Sequence, residues 1–181
     1  MGSHMERYLL RTKKDVQIIN LDKLTYAGNL ENLKEVESDP RYTFVKGDIT
    51  DQNTVDSMVR KGVDVIINYA AETHVDRSIE EPKAFLQTDI FGTYTLLESA
   101  KKFGVKKYIQ ISTDEVFGSI EKGEFTENSP FEPNSPYSAS KAGGDHLCRA
   151  YHATYGVPVI VTHSCNFFGP NQYPEKLLPL F

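Results

Sequence analysis

The sequence predicts an α/β domain built on a parallel sheet, and three observations carry that prediction. Five short β-branched runs alternate with helical patterns, each run ends in polar or glycine-containing residues, and the longest irregular stretch, about 118–135, is rich in Gly, Pro, Ser and Asn. Strands that alternate with helices are joined by right-handed crossovers, which leave a buried sheet flanked by helices.

The strand runs come in order. Val16 to Leu21 ends in Asp22, Tyr42 to Val45 ends in Lys46-Gly47-Asp48, and Val63 to Asn68 ends in small residues; Lys107 to Ile111 and Pro158 to Thr162 complete the set. Continuous apolar runs of this length are the pattern of parallel strands buried on both faces. Helices are predicted over 50–60, 82–103 and 136–155, with Asp51 near the start of the first and Gly156 and Pro158 closing the last. Met1 to Met5, including His4, resembles an expression-tag scar and is set apart from the domain.

A chain of 181 residues can bury one substantial core, with ~70% of the unfolded surface removed from water at this size. Hydrophobic and charged contents of 39% and 25% are ordinary for a globular domain. Twenty basic against 25 acidic residues, with no Lys/Arg run, argue against nucleic acid or an anionic membrane as partner. No apolar stretch reaches the ~18 residues of a membrane span. Cys148 and Cys165 lack metal-ligand spacing and read as reduced core residues, so no metal site is expected and the compartment reads as cytoplasmic.

Ligands of open α/β sheets sit off the carboxyl ends of the strands. Asp22 stands there, where a carboxylate can accept both hydroxyls of an adenosine ribose, and Asp48-Ile49 could hold the adenine edge. Each Asp has an alternative reading as a turn or helix cap. After the third strand, Ala70 and Ala71 are small enough for a cofactor to pass close to backbone, with the hydroxyls of Thr73 and Thr88 nearby.

Tyr137 and Lys141 are one helical turn apart, so their side chains leave one face. Positive charge from Lys141 would lower the pKa of Tyr137 and let it take the proton of a sugar hydroxyl as hydride departs. The spacing is weak evidence alone: roughly one such pair is expected by chance, and Tyr42 with Lys46 is another copy. The later copy opens a helix behind Pro136 and follows Ser112-Thr113, whose threonine hydroxyl could share the substrate oxygen. Asp114 and Glu115 come next. Adjacent acids after a strand are commonly solvated loop residues, but like charges in one site oppose joint ionisation, leaving one as acid and one as base. Elimination of water requires that split.

Together these segments resemble the dTDP-glucose 4,6-dehydratases, which are extended short-chain dehydrogenase/reductases. The motifs are Asp22-Lys-Leu-Thr-Tyr-Ala-Gly-Asn29, Ala70-Ala-Glu-Thr-His-Val-Asp-Arg-Ser78, Ser112-Thr-Asp-Glu-Val-Phe-Gly118, Tyr137-Ser-Ala-Ser-Lys141, Asn166-Phe-Phe-Gly-Pro170 and Pro174-Glu-Lys-Leu177. The resemblance implies a Rossmann-type doubly wound parallel sheet, bound NAD, a nucleotide-sugar substrate and a homodimer. It implies oxidation at C4, loss of the C5 proton and C6 hydroxyl, and reduction at C6. By position it makes Tyr137 the C4 base with Lys141 beside it, Thr113 its partner, Glu115 the C5 base and Asp114 the C6 acid. It gives Asp22, Lys23, Leu24, Thr25, Asp48, Ile49, Tyr69, Ala70, Ala71, Thr73, Thr88, Tyr137 and Lys141 to the cofactor. Thr73, Thr113, Asn166, Lys176 and Leu177 go to the substrate. A nucleotide-sugar 4-epimerase or decarboxylase needs the Tyr/Lys pair but not adjacent acids; a catalytically inactive fragment that binds nucleotide or a partner is the reading from another class.

The chain also departs from the family. Phe117 replaces a tyrosine, Thr73 a serine, and Phe167-Phe168 stand where Asn-Tyr is usual; His163 replaces Arg or Asn and reads as a packed strand-end residue. The family opens on a central strand and a Gly-x-x-Gly-x-x-Gly turn that receives the NAD pyrophosphate, yet no two of the 12 glycines lie three apart. Glu6 to Arg11 resembles the later part of the helix after that turn. The expected organisation is therefore a tag remnant 1–5, an NAD-binding domain 6–165 lacking its first strand and turn, and a truncated substrate-binding part from 166 to 181. Either a segment is omitted between Met5 and Glu6, which a Cα separation well beyond ~3.8 Å would mark, or the chain is a fragment of reduced stability and NAD affinity.

Overall fold

The computed structural model describes residues 1–175. They form two compact units, Met1–Asp48 with the segment from Phe167, and Ile49–Asn166, so the stretch 6–165 expected as one domain divides after Asp48. The division follows the hydrogen-bond ladders. Strands β1 (Ile18–Asp22) and β2 (Tyr42–Lys46) form one parallel pair; β3 (Val65–Asn68), β4 (Lys107–Thr113) and β5 (Val159–Ser164) form a second parallel sheet in the order β3-β4-β5. The α/β class and the parallel sense are as expected. One continuous sheet is not formed, because among the described residues no strand pairs with both β1 and β3.

In the first unit, α1 (Gly2–Thr12) runs unbroken through Met5 and Glu6. Residues 2–5 lie within this helix. Arg41 holds the far end of this helix, donating from Nη2 to the Leu10 carbonyl at 2.9 Å and from Nη1 to the Lys13 carbonyl at 2.8 Å. A cation among the last carbonyls of a helix satisfies acceptors that have no partner within it. Arg7 donates to the Asn32 carbonyl at 3.0 Å, beside a 3-10 turn (Leu30–Val36) whose Leu33 is buried.

In the second unit, β4 is the middle strand and its buried residues alternate with half-buried ones. Asn68 and Tyr108 each donate to the Gln110 amide oxygen, at 3.0 and 2.9 Å, and Gln110 donates to Thr93 at 3.3 Å. These groups are buried, and a buried polar network is tolerated when its members find partners. Helix α2 (Gln52–Val59) is capped by Asp51, as its sequence predicts. The predicted helix 82–103 is a composite: α4 (Pro82–Phe85), a π-helical turn (Leu86–Gly92) and α5 (Thr93–Phe103), with a further short helix, α3 (Val75–Glu80), before it. Asp56 of α2 accepts from Lys102 at 2.6 Å and from Gln52 at 2.8 Å, and Lys102 first, with Ser99 and Gln52, holds its carboxyl down to about 2. Helix α6 (Pro136–Tyr155) returns the chain to β5, which runs parallel to β4 with Ser112 opposite His163.

Candidate active site

The end of β4 and the start of α6 bring the predicted catalytic residues together. Ser135 caps α6 reciprocally with Ser138: each backbone N–H donates to the other's hydroxyl at 3.0 Å. Pro136 follows at the first helical position, where its missing N–H costs nothing. The cap places Tyr137 in the first turn, buried, with its ring centroid 6.2 Å from that of Phe85 in an edge-on arrangement. Thr113 ends β4 and caps the 3-10 turn Asp114–Phe117, accepting from Glu115 N at 3.2 Å while its hydroxyl donates to Asp114 Oδ1 at 3.3 Å. Gly118 then takes φ +86 against the Glu132 carbonyl, where a Cβ has no room, so the irregular stretch that follows folds back onto Val116.

The electrostatics reverse one expectation. Lys141 was expected to lower the pKa of Tyr137, but the phenol stands well above its ordinary value. Burial is the main cause; the charges of Glu115, Asp89 and Asp114 add to it, and the Thr113 hydroxyl pulls the other way. Lys141 is itself buried, and its Nζ donates to the Ile111 carbonyl at 2.8 Å.

Behind them lies a network that the motifs did not reveal. Asp145, one turn beyond Lys141, accepts from Ser112 at 2.7 Å and lies 3.1 Å from His163 Nε2. His163 packs between Phe117 and Phe131, at 4.8 and 5.6 Å, as a strand-end packing residue. Asp145, His163, His146, Arg149 and Phe131 line a cleft of about 360 Å³. The i+4 spacing of Lys141 and Asp145 on one helical face was the only sequence signal for this network. Of the cysteines, Cys148 is buried, its thiol pushed up to about 12 by desolvation. Cys165 is exposed, contrary to expectation, because it lies just past β5; the Asp114 carboxylate beside it holds its thiol up.

The remaining predicted residues divide between the units. In the second, Tyr69, Ala70, Ala71, Thr73 and Thr88 are half-buried, and Ala70 N donates to Asn68 at 3.2 Å. Ile49 is a core residue packed on Gly92, which leaves only its backbone to meet a ligand. Asn166 is exposed. In the first unit, Asp22 is exposed and accepts from Leu24 N at 2.7 Å, so the turn reading of this residue is realised in part. Lys23 pairs with Asp48 at 2.7 Å, Leu24 takes φ 54, and Thr25 accepts from Gly28 N at 2.9 Å. Lys176 and Leu177 lie outside the described residues.

The geometry defines a dehydrogenase-like α/β site with an acidic pair. A family model described as GDP-mannose 4,6 dehydratase matches residues 1–181, and the chain belongs to that family. A dTDP-glucose 4,6-dehydratase of Streptomyces niveus is 49% identical over 185 residues, taking in 100% of this chain and 55% of its own. The crystal structure of DesIV, a dTDP-glucose 4,6-dehydratase of Streptomyces venezuelae with NAD and TYD bound, superposes with a TM-score of 0.96 at 52% identity, over 99% of this chain and 56% of that one. A UDP-glucuronic acid 4-epimerase of Bacillus cereus, in complex with UDP-glucuronic acid and NAD, superposes with a TM-score of 0.89 at 27% identity, over 97% and 56%. The chain spans about half the length of the curated relatives it matches.

Proposed function

We propose that the chain carries the catalytic residues of a dTDP-glucose 4,6-dehydratase, which converts its substrate to the 4-keto-6-deoxy sugar with net loss of water. One arrangement carries the reading: β4 ends in Thr113, whose hydroxyl donates to Asp114 and accepts from Glu115 N, and α6 opens on the buried Tyr137 with Lys141 one turn on. Bound NAD would supply a reversible hydride acceptor, which the C4 oxidation and the C6 reduction both need. Tyr137, as tyrosinate, would receive the C4 hydroxyl proton, with Thr113 orienting the same oxygen. Because burial and the neighbouring carboxylates hold the phenol above its ordinary value, this role needs the positive charge of Lys141 and of a bound nicotinamide beside it. Glu115 removes the C5 proton, made acidic by the neighbouring ketone, and Asp114 protonates the departing C6 hydroxyl. An acid and a base side by side serve one elimination without a second base elsewhere.

The fit to NAD is supported in each unit separately. In the second, Tyr137 and Lys141 leave one helical face and the half-buried Ala70 and Ala71 offer close backbone approach, with Tyr69, Thr73 and Thr88 beside them in sequence. In the first, Asp22 stands exposed at a strand end with Lys23 to Thr25 following. The Gly-rich pyrophosphate turn has no counterpart in this sequence. Thr73, Thr113 and Asn166 are assigned to the nucleotide-sugar. A cytoplasmic homodimer completes the reading: among the described residues no helix is long and apolar enough to cross a membrane, and Leu86, Phe91 and Tyr94 are exposed. Incubating the chain with NAD and dTDP-glucose tests the proposal. A 4-keto-6-deoxy product is expected; a C4 epimer, or no turnover with nucleotide still bound, would favour the epimerase or the inactive fragment.

A further inference from the structure

The loop after β1 is tightly built, and it presents one aromatic ring. Asp22 Oδ1 accepts from Leu24 N at 2.7 Å, Leu24 takes φ 54, and Gly28 N donates to the Thr25 carbonyl at 2.9 Å. A Cβ on Gly28 would stand 2.7 Å from Leu24 Cα, so the missing side chain lets the loop close on itself. Tyr26 is the second residue of the Thr25–Gly28 turn and is 39% exposed.

The proposed reaction gives Tyr26 no role, yet its side chain has two partners within the same unit. Its hydroxyl donates to Glu175 Oε2 at 2.9 Å, and its ring meets that of Tyr173 edge-on, with centroids 5.3 Å apart. The segment it meets has local structure of its own. Gln172 N donates to the Gly169 carbonyl at 3.3 Å, and the Gln172 side chain donates to the Phe167 carbonyl at 3.2 Å. Glu175 N donates to the Tyr173 carbonyl at 2.9 Å. One hydrogen bond to a carboxylate and one ring edge thus join two structured loops that lie 149 residues apart in sequence. A bond to an ionised acceptor is stronger than a neutral one. Both rings are exposed, however, and a contact that buries so little opens and closes readily.

On one side of the contact stand Asp22 to Thr25, assigned to the cofactor. On the other the chain runs on in sequence to Lys176 and Leu177, which the family resemblance gives to the nucleotide-sugar. We propose that Tyr26 is a positioning residue that couples the two ligands. With its contact formed, the ribose loop and the Tyr173–Glu175 segment are held together, and each nucleotide favours that state over the open one. The proposal rests on the NAD and nucleotide-sugar reading of this chain. Linkage makes the effect reciprocal: NAD tightens the binding of dTDP by the same factor as dTDP tightens that of NAD.

Two measurements test it. The first uses no nucleotide: Tyr26→Phe removes the hydroxyl and keeps the ring, so the amide NMR signals of Tyr173 and Glu175 should move while the Tm stays nearly unchanged. The second is a calorimetric titration of the chain with dTDP, alone and with NAD at saturation. In the parent, NAD should raise the affinity for dTDP by about fivefold or more, the lower end of coupling between sites. Tyr26→Phe and Glu175→Ala should each bring that factor toward one, and the double variant should lose no more than either single one. Unmoved amide signals in Tyr26→Phe would overturn the proposal, as would a coupling factor that this variant leaves intact. Both nucleotides binding to the parent without coupling would overturn it alone. A chain that binds neither nucleotide would overturn it together with the reading beneath it, so the two failures are told apart.

Discussion

The two ends at which ligand-facing residues collect are built in opposite ways. At the start of α6 the candidate groups are buried and bound from several sides: Tyr137 lies under Phe85, Lys141 donates to β4, and Ser140 joins Asp89 to the helix. At the end of β1, Asp22, Lys23 and Thr25 are accessible, and their polar atoms close short local turns and one ion pair. Proton transfer demands a fixed distance and a controlled charge, which burial supplies. Recognition of a ribose needs only acceptors on a strand end, and exposed ones can reorient. The first region therefore spends stability on geometry, and the second spends little.

The largest expected effect breaks the buried region chemically. Tyr137→Phe keeps the ring contact with Phe85 and removes the acidic hydroxyl; turnover of dTDP-glucose should fall by about two orders of magnitude or more, with the Tm nearly unchanged. Gly144→Ala breaks the same region mechanically. Its Cβ meets backbone, not a flexible side chain, so a loss of about 1–3 kcal/mol is expected in denaturant unfolding, the range for overpacking. Intermediate in size is the acid limb of stability. Asp56 is held down to about 2 by Lys102, Ser99 and Gln52; its depressed pKa stabilises the fold above the ordinary carboxylate value, and that contribution is lost as pH falls toward about 2. In Lys102→Met this acid loss should be smaller and complete at higher pH. The smallest effect belongs to the exposed region. Asp22→Asn should change stability by no more than about 0.5 kcal/mol, with its consequence confined to weaker NAD binding in a titration; a Tm shift rivalling that of Gly144→Ala would erase the contrast.

Much of this contrast was legible before the structure. The alternation of short apolar runs with helices locates all five strands, because buried parallel strands need no polar face. The Pro136 signal places Tyr137 in the first turn, and the Tyr/Lys spacing puts both side chains on one face. The partners of those side chains were not legible. Lys141 was expected to act on Tyr137, yet the direction of the phenol's shift is set by burial and by three carboxylates from two separate segments, a sum no linear spacing reports. Nothing in the sequence singles out Asp89 or Asp145, since nothing local marks a position as buried when the burying element is distant in sequence. The split into the ladders β1-β2 and β3-β4-β5 accords with the expectation that the family's central first strand is lacking.

The most direct measurement follows the reduced nicotinamide signal when the chain, NAD and dTDP-glucose are mixed in deuterated water, in Tyr137→Phe and Glu115→Gln side by side. If the Tyr137 phenol serves oxidation and the neighbouring acids serve elimination, Tyr137→Phe should give almost no reduced nicotinamide. Glu115→Gln should give it promptly while incorporating no deuterium at C5. Prompt reduction in Tyr137→Phe, or its loss in Glu115→Gln, would contradict that division of labour between the helix and the strand end.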